Sequence, residues 1–356
     1  MKTKLLLISV RADFGGGPKH VDQLVRCLRK DYNVYVASPY EEPYGVQWSK
    51  DTEISGFVTI PHRRFYLKDF FRLVKFVKTE KIQIIHSHGK GAGIYSRLIK
   101  VLCVHVKVVH TFHGLNANYG KWLNCVYLGV EKVLSLLTDQ LIFVSHGERS
   151  KALKMGLFND KKSNVIFNGI EDVQLSGTHQ KSSFRIISIS RFDYAKNMDL
   201  AYEIAFKFKD DDRIQFVWVG DGHDKERLKI KAMVEGVNID FVGFTNNPIK
   251  YLHDSDILLS SSRFEGLPYA LIEACSAGLP IVASNVVGNN DIVKNGCNGF
   301  LFDSVQGACD SIRILANDLN LRSKMRKAAR DEFEANYSEA MMIRKLELLY
   351  ELVLSK

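Results

Sequence analysis

The first half of the chain alternates short apolar segments with longer segments of helical character. The apolar segments are rich in Leu, Ile and Val, which is typical of strands that are buried on both faces of a parallel sheet. They span residues 4–10, 33–38, 58–60, 82–86, 106–111, 140–144 and 165–167. The segments between them are long enough for crossover helices. The pattern therefore predicts an α/β fold with a doubly wound parallel sheet.

The second half starts the same pattern again. Its apolar segments span residues 184–190, 214–219, 239–242, 256–260, 281–284 and 299–302. A polar, turn-rich segment separates the halves, and a run of helix formers begins at Leu315. A chain of 356 residues also exceeds what one hydrophobic core usually holds. We therefore expect an N-terminal domain over 1–170, a linker over 171–183 and a C-terminal domain over 184–356, with a terminal helix that could cross back to the first domain.

The strongest local signal is a pair of carboxylates, Glu265 and Glu273, on either side of a predicted strand-to-helix turn. Pro268 between them suits the first turn of a helix, because its missing N–H costs nothing there. Glu265 would lie at the carboxyl end of the strand, where open α/β sheets bind ligands. The free N–H groups of the helix start would suit phosphate, so this turn could hold a sugar nucleotide. The alternative is that both are surface carboxylates which flank a helix start.

Glycines and histidines also follow predicted strands of the first domain. The triple glycine at 15–17 would let the backbone approach a ligand closely, although an ordinary turn has the same composition. It does not match the GxGxxG dinucleotide fingerprint. His86, His88 and His113 fall at predicted strand ends on the ligand side. They could ligate a metal, but no carboxylate accompanies them in sequence, so we expect a polar lining and no metal.

Two cations follow the first strand of the second domain. Arg191 offers a fork for phosphate oxygens and Lys196 a point charge, so together they could neutralise a diphosphate. They could also be solvated surface cations. Gly220 ends the next strand with a permissive backbone. The predicted topology brings these three residues to the sheet edge that carries Glu265 and Glu273.

Two acidic motifs match DxD, a metal–diphosphate signature of some sugar transferases. They lie at residues 210–212 and 254–256. Both immediately precede predicted strands, which places them at the amino edge of the sheet and away from the ligand edge. We interpret them as loop and strand-start residues.

The charge of the chain is unevenly distributed. Its net charge is +9, and residues 1–170 hold 26 Lys and Arg against 13 Asp and Glu. The segment 63–78 combines six basic residues with many aromatic and aliphatic ones, as in a helix that lies on an anionic membrane surface. An ordinary surface helix with one buried face is the alternative. The basic residues we assign to membrane or acceptor binding are Arg63, Arg64, Lys68, Arg72 and Lys75.

The expected cellular location of the protein rests on features that the sequence lacks. No apolar stretch approaches the ~18 residues of a membrane span, and the first apolar run is too short for a signal peptide. The six cysteines show no metal-binding or disulfide spacing. We therefore expect a cytoplasmic protein that is peripheral on the inner face of the cytoplasmic membrane. No nucleic-acid-binding motif is visible, so nucleic acid is not an expected partner.

Taken together, these motifs resemble the GT-B glycosyltransferases, in particular the large retaining group known as family 4 or group 1. The resemblance covers nearly the whole chain, and its strongest element is the E-x7-E motif of Glu265 and Glu273. In the same order as in that group stand the glycine-rich first loop, the segment Thr-Phe-His113-Gly, Asn168-Gly169, the Arg191 and Lys196 pair, residues 219–222 and residues 298–301. The implied fold is two Rossmann-like domains that face each other across a cleft.

The resemblance also implies roles for individual residues. Glu265 and His113 would be catalytic: Glu265 would contact the transferred sugar and stabilise positive charge on it, and His113 would lie near the donor sugar and the acceptor hydroxyl. The donor-binding residues would be Gly16, Gly17, Arg191, Lys196, Gly220, Leu267 and Glu273. Arg191 and Lys196 would bind the diphosphate, and Glu273 the ribose.

The implied activity is metal-independent transfer of a hexose or N-acetylhexosamine from a nucleotide-diphosphate sugar, with retention of configuration. No cofactor is expected beside this co-substrate, for which UDP is the first choice and GDP or ADP the alternatives. The acceptor would be a lipid-linked saccharide of O-antigen, capsule or another surface polysaccharide, bound by the basic first domain. The competing functions are another GT-B enzyme, such as a sugar-nucleotide epimerase, and a non-catalytic membrane-binding or nucleic-acid-binding protein.

Overall fold

The computed structural model describes residues 2–114, 121–158, 160–173 and 183–355. The chain forms two compact units. Unit 1 contains Met1–Asn168 together with Met341–Lys356, and unit 2 contains Gly169–Ala340. The linker predicted over 171–183 falls mostly on residues 174–182, which lie outside the described residues.

Unit 1 is built on a parallel sheet whose seven described strands run in the order β3-β2-β1-β4-β5-β6-β7. The strands are β1 (Thr3–Ser9), β2 (Tyr32–Ser38), β3 (Gly56–Thr59), β4 (Ile84–His88), β5 (Lys107–Phe112), β6 (Gln140–Phe143) and β7 (Ser163–Val165). The helices are α1 (Gly16–Leu28), α2 (Tyr44–Lys50), α3 (Leu67–Glu80), α4 (Gly89–Leu102), α5 (Lys121–Leu136), α6 (His146–Lys154) and α14 (Glu339–Leu354), with a 3-10 turn at Asp160–Lys162. The order reverses at β1, which is the topology of a nucleotide-binding doubly wound sheet.

The apolar run of β1 fills both faces of this sheet. Leu5 and Leu7 enter the core that lies under α1, α2 and α14. Leu6 and Ile8, which point the opposite way, enter the core under α3 and α4. All four are fully buried. This two-sided burial explains why the sequence shows a continuous apolar run here rather than alternation.

Unit 2 repeats the arrangement with six described strands in the order β10-β9-β8-β11-β12-β13. The strands are β8 (Phe184–Ile189), β9 (Ile214–Val219), β10 (Ile239–Gly243), β11 (Ile257–Ser260), β12 (Ile281–Ser284) and β13 (Gly299–Phe302). The helices are α7 (Met198–Phe206), α8 (Lys225–Glu235), α9 (Ile249–His253), α10 (Tyr269–Ser276), α11 (Asn289–Ile292), α12 (Val305–Asn317) and α13 (Leu319–Asn336). Every described strand pairing is parallel in both sheets.

The two parallel sheets confirm the predicted fold class, and each predicted strand overlaps one in the structure. Some boundaries differ. The predicted strand 82–86 continues to His88, the strand predicted at 165–167 is Ser163–Val165, and α1 already begins at Gly16. The last three residues of β4 are polar although all five are buried, so the end of the apolar run did not mark the end of the strand. In the described parts of the chain, no helix has both the length and the apolarity that a membrane crossing requires.

Candidate functional site

An acid–base pair stands at the carboxyl edge of the unit 2 sheet. The loop after β8 carries Lys196 and the loop after β11 carries Glu265. Lys196 Nζ donates to Glu265 Oε1 at 2.5 Å, and Ser262 Oγ donates to the same oxygen at 2.6 Å. The two charged side chains are 21% and 11% exposed, and both line a pocket that is open to solvent. The pair is thus shielded on most sides but accessible to a ligand at this edge.

Backbone contacts hold the two loops together. Arg263 N donates to Ala195 O at 2.8 Å, and Arg263 Nη1 donates to Tyr194 O at 2.7 Å. The guanidinium also lies 4.4 Å from the centre of the Tyr194 ring. Ser261 Oγ adds a hydrogen bond to Lys196 O at 3.0 Å. These contacts fix the loops on either side of the acid–base pair, so the pair is preorganised.

A second layer supports the loop that carries Glu265. Ser284 Oγ, at the end of β12, donates to Ser262 O at 2.6 Å. Asn289 Nδ2 in turn donates to Ser284 O at 3.0 Å, and both side chains are buried. The buried hydroxyl and amide therefore tie the loop to the next strand and to α11.

The other predicted donor-binding residues of unit 2 lie in or beside the same loops. Arg191 shares the loop of Lys196 and forms an ion pair with Asp193, with 2.9 Å between Nη2 and Oδ2. Glu273 is the fifth residue of α10 and only 7% exposed. The Leu267 side chain is buried in the core, so only its backbone could meet a ligand.

Gly220 holds the backbone at this edge in a conformation that other residues rarely adopt. Its φ is +137°, and a Cβ added there would lie 1.9 Å from Ser190 O. Gly220 N also donates to Gly243 O at 2.8 Å. The strand ends of β8, β9 and β10 can approach one another this closely only because residue 220 has no side chain.

The two DxD matches lie at the amino ends of strands, as predicted. Asp256 directly precedes β11, and its Oδ2 accepts a hydrogen bond from Arg185 N at 2.9 Å. Asp211 precedes β9 and forms an ion pair with Arg213 at 2.7 Å. Both carboxylates thus serve the local structure at the edge opposite to Glu265.

Three histidines meet at the carboxyl edge of the unit 1 sheet. His20 comes from α1, His88 is the last residue of β4, and His113 directly follows β5. Their ring centres are 5.0 Å apart for His20–His113, 5.4 Å for His20–His88 and 5.5 Å for His88–His113. His88 Nδ1 lies 3.3 Å from His113 Nε2. We call this group the histidine triangle.

Burial keeps the triangle uncharged. Removal from water lowers the pKa of His113 to about 4. It also lowers the pKa of His20 and His88 well below the usual value, and the neighbouring histidines lower it further. At neutral pH each ring is therefore a neutral imidazole, in which one nitrogen carries a hydrogen and the other can accept a hydrogen bond.

His86 lies beneath the triangle rather than beside it. It was expected at the ligand edge, but β4 continues past it and the side chain is fully buried. Its Nδ1 lies 2.6 Å from Tyr350 Oη, and its Nε2 lies 2.7 Å from Thr111 Oγ1. Burial lowers its pKa to about 3. Because both nitrogens already have partners in the core, His86 is a structural residue.

The glycine-rich segment adjoins the triangle. Gly16 and Gly17 form the first turn of α1, and a Cβ added to Gly17 would lie 3.8 Å from His113 Cδ2. That is an ordinary contact distance, so the packing of unit 1 alone does not demand a glycine there. The absence of a side chain instead leaves space beside the His113 ring.

The predicted basic segment, residues 63–78, comprises the residues that lead into α3 and most of that helix. Phe70, Leu73, Val74 and Val77 are its buried face. The basic residues Arg63, Arg64, Lys68, Arg72 and Lys75 are all exposed. So are the large apolar side chains Phe65, Tyr66, Leu67 and Phe71.

A second exposed apolar face, on α5, was not anticipated from the sequence. Its members recur at helical spacing and are Trp122, Val126, Val130, Val133 and Leu136, each at least 47% exposed. Helix α5 lies next to α4, since buried Arg97 of α4 forms an ion pair with Glu131 of α5 at 2.8 Å. Helix α4 also contacts α3. The apolar face of α5 and the basic face of α3 therefore belong to two helices that both lie next to α4, on one side of the sheet.

Sequence interpretation missed three contributors to these sites. Ser262 was not singled out, although its position three residues before Glu265 was an available signal. His20 follows the triple glycine within the first helix, so its place at the ligand edge could have been inferred. Tyr350 had no signal, because 264 residues separate it from His86.

Two family models match the chain. The model described as glycosyl transferases group 1 matches residues 171–332, and the model of Glycosyltransferase Family 4 matches residues 14–174. Among similar proteins, the O-antigen biosynthesis glycosyltransferase WbnH of Escherichia coli is 28% identical over 303 residues, which are 84% of this chain and 86% of that protein. The Escherichia coli UDP-Gal:alpha-D-GlcNAc-diphosphoundecaprenol alpha-1,3-galactosyltransferase is 28% identical over 283 residues, or 72% of this chain and 73% of that protein.

Solved structures share the fold. The crystal structure of Anabaena Alr3699/HepE in complex with UDP and glucose superimposes with a TM-score of 0.84 at 15% identity, and the match covers 98% of this chain and 99% of that one. The two family models together cover residues 14–332. The chain therefore belongs to the family 4, or group 1, glycosyltransferases and is a glycosyltransferase with the GT-B fold.

Proposed function

We propose that this glycosyltransferase moves a hexose or N-acetylhexosamine from a nucleotide-diphosphate sugar to a lipid-linked saccharide of a bacterial surface polysaccharide, with retention of configuration and without a metal. The observation that carries this proposal is the preorganised Lys196–Glu265 pair at the carboxyl edge of the unit 2 sheet. The names of the O-antigen and diphosphoundecaprenol-linked relatives support the acceptor class.

In this proposal unit 2 binds the donor. Arg191 and Lys196 bind the diphosphate and stabilise the charge that develops on it as the sugar leaves. Glu273 accepts hydrogen bonds from the ribose, while Gly220 and Leu267 contribute backbone contacts. UDP is the proposed nucleotide, because one relative is a UDP-Gal transferase and the HepE structure contains UDP.

The acid–base pair changes partners when the donor arrives. Lys196 turns from Glu265 to a phosphate oxygen, and Glu265 is then free to stabilise positive charge at the anomeric carbon. The bond from that carbon to the phosphate oxygen breaks while the acceptor oxygen forms its bond on the same face. The departing phosphate takes the acceptor proton. Fixed cations supply the charge compensation that other transferases obtain from a metal, so no metal step is needed.

Unit 1 is proposed to bind the acceptor. His113 is uncharged at neutral pH, so it acts on the transferred sugar and the acceptor hydroxyl as a hydrogen-bonding group and not as a cation. The backbone of Gly16 and Gly17 contacts the donor diphosphate or sugar from the start of α1. The basic surface of the unit meets the phosphate of a lipid-linked acceptor.

A panel of nucleotide sugars tests the donor assignment. We expect only UDP-sugars to raise the melting temperature of the protein. The protein should also release nucleotide slowly from these donors, without added metal. Both responses should disappear in Arg191→Ala and Glu273→Ala, because each removes a donor contact. Arg213→Ala serves as the control, since this exposed arginine lies at the amino end of β9.

Two results would contradict the proposal. If no donor stabilises the protein even when a bacterial lipid extract is added, the chain does not bind nucleotide sugars. If a UDP-sugar is consumed but its sugar is converted without transfer to any acceptor, the protein is an epimerase on the same fold.

We further propose that the protein is cytoplasmic and peripheral on the inner face of the cytoplasmic membrane. The exposed cations of α3 would meet anionic head groups, and its exposed aromatic side chains would enter the interface. The apolar face of α5 extends this surface on the same side of the sheet. Nucleic acid is not a proposed partner.

Sedimentation with phosphatidylglycerol vesicles tests this surface. We expect binding at low salt that weakens as salt is added, because exposed charges are screened. Reversing two charges in Lys68→Glu with Lys75→Glu should lower binding roughly tenfold or more, since each cation near an anionic surface contributes about 1 kcal/mol. The control is Lys324→Glu with Lys327→Glu on α13, an equal charge change at exposed positions of unit 2. Equal binding by both double variants would refute the α3 assignment.

A further inference from the structure

The geometry of the histidine triangle approaches that of a tetrahedral metal site. Zinc holds imidazole nitrogens at about 2.0–2.1 Å, which puts two such nitrogens roughly 3.3 Å apart. His88 Nδ1 and His113 Nε2 are already 3.3 Å apart. One nitrogen from each of the three rings lies within 4.8 Å of the others. A bound ion would have to draw the nitrogens closer together than this.

The chemistry of the group selects the kind of ion. Each ring offers one nitrogen to the group. The triangle contains no carboxylate, and a set of imidazoles alone suits zinc, cobalt and nickel rather than magnesium or calcium. Three protein ligands would also leave one tetrahedral position for water.

Neighbouring residues contact the rings. Asn168 interacts with the His20 side chain. His88 is the last residue of β4. Two residues earlier in this strand, His86 has a hydrogen-bond partner in the core at each ring nitrogen. Only His113 is partly exposed, so an ion would enter from its side.

We propose that His20, His88 and His113 form an inhibitory site for a divalent transition metal of the zinc type. The bound ion occupies the nitrogen with which His113 serves transfer, so metal binding and catalysis exclude each other. This second statement rests on the proposed role of His113, whereas the metal site itself does not. The site is inhibitory and distinct from the metal-free transfer chemistry.

Cobalt(II) is the probe for the site, because a tetrahedral cobalt site absorbs visible light. Titration of the metal-stripped full chain at pH 7 should produce this absorption with one ion per chain, and zinc should displace it. Separate His20→Ala and His88→Ala variants should lose the signal. His223→Ala should keep it, because His223 is exposed in unit 2 and outside the triangle. Circular dichroism of each variant checks its fold, and an alanine variant that does not fold is replaced by glutamine at the same position, as His20→Gln or His88→Gln.

The possible results distinguish the metal site from its proposed inhibition of sugar transfer. The metal site would be refuted if the protein showed no tetrahedral cobalt absorption. It would also be refuted if the folded His20 and His88 variants gave the same signal as the unmodified protein. In either case the three residues would be a hydrogen-bonded histidine network. Zinc should inhibit transfer by the unmodified protein at least tenfold more strongly than transfer by the His20 variant. Cobalt binding without inhibition would leave the site intact and overturn the role of His113 instead.

Discussion

Replacement of Glu265 by glutamine is expected to lower kcat for sugar transfer by about 10²–10³-fold, the typical effect of removing one preorganised electrostatic group. Glutamine keeps the shape of the side chain and an oxygen that can accept the Ser262 hydrogen bond, but it removes the negative charge beside Lys196. That charge has its effect only as positive charge develops on the sugar. The KM for the donor should therefore change much less than kcat.

Initial rates with varied donor concentration measure this separation of kcat from KM. The matched control is Glu226→Gln, which neutralises an exposed carboxylate on α8 in the same unit. The control should retain its rate within about twofold. A Glu265→Gln variant that keeps more than a third of the normal kcat would show that the carboxylate does not stabilise the transition state.

Replacement of Gly220 by alanine is expected to destabilise the protein by about 3 kcal/mol or more, through strain and through collision with fixed backbone. The added methyl group would lie 1.9 Å from Ser190 O, and the φ of +137° is unfavourable for alanine even without that collision. In a unit of this size the loss corresponds to a fall in melting temperature of roughly 10 °C. Because Gly220 also joins the strand ends beneath the loops that we propose to bind the donor, donor binding should weaken in parallel.

The Gly236→Ala variant distinguishes the cost of backbone strain from the cost of the collision. Gly236 ends α8 with a φ of +68°, and an added Cβ would meet nothing within 4 Å. This variant carries only the cost of a left-handed alanine, about 1 kcal/mol. Thermal unfolding of both variants with and without donor measures the difference. Similar melting temperatures for the two would mean that the β8 and β9 loops move apart easily and that the close contact is unimportant.

The fold and the placement of Lys196 and Glu265 at one sheet edge could be predicted from the sequence because short-range patterns determine them. Strands such as β1 are buried on both faces and therefore appear as uninterrupted apolar runs. Glu265 and Lys196 follow such strands, and the topology of a parallel sheet brings residues in that position to one edge. The carboxylate and the ammonium group are indeed in contact there.

The arrangement within unit 1 could not be predicted in the same way. The histidine triangle combines residues from a helix, a strand and a loop, and its geometry depends on how α1 packs rather than on any spacing in the sequence. His86 shows the reverse error, because a polar residue near a strand end was assigned to the ligand edge although β4 continues past it. The apolar face of α5 was missed because its spacing does not reveal which side of a helix is buried.

Helix α14 imposes an order on the synthesis of this protein. Met342, Leu346, Leu349, Tyr350 and Val353 complete the core of unit 1, although most of that core is encoded before residue 168. A ribosome that has finished unit 2 has therefore produced one domain that can fold and an earlier one whose hydrophobic face is still uncovered. Unit 1 must wait for about 170 further residues to emerge, and during that time chaperones have a surface to bind.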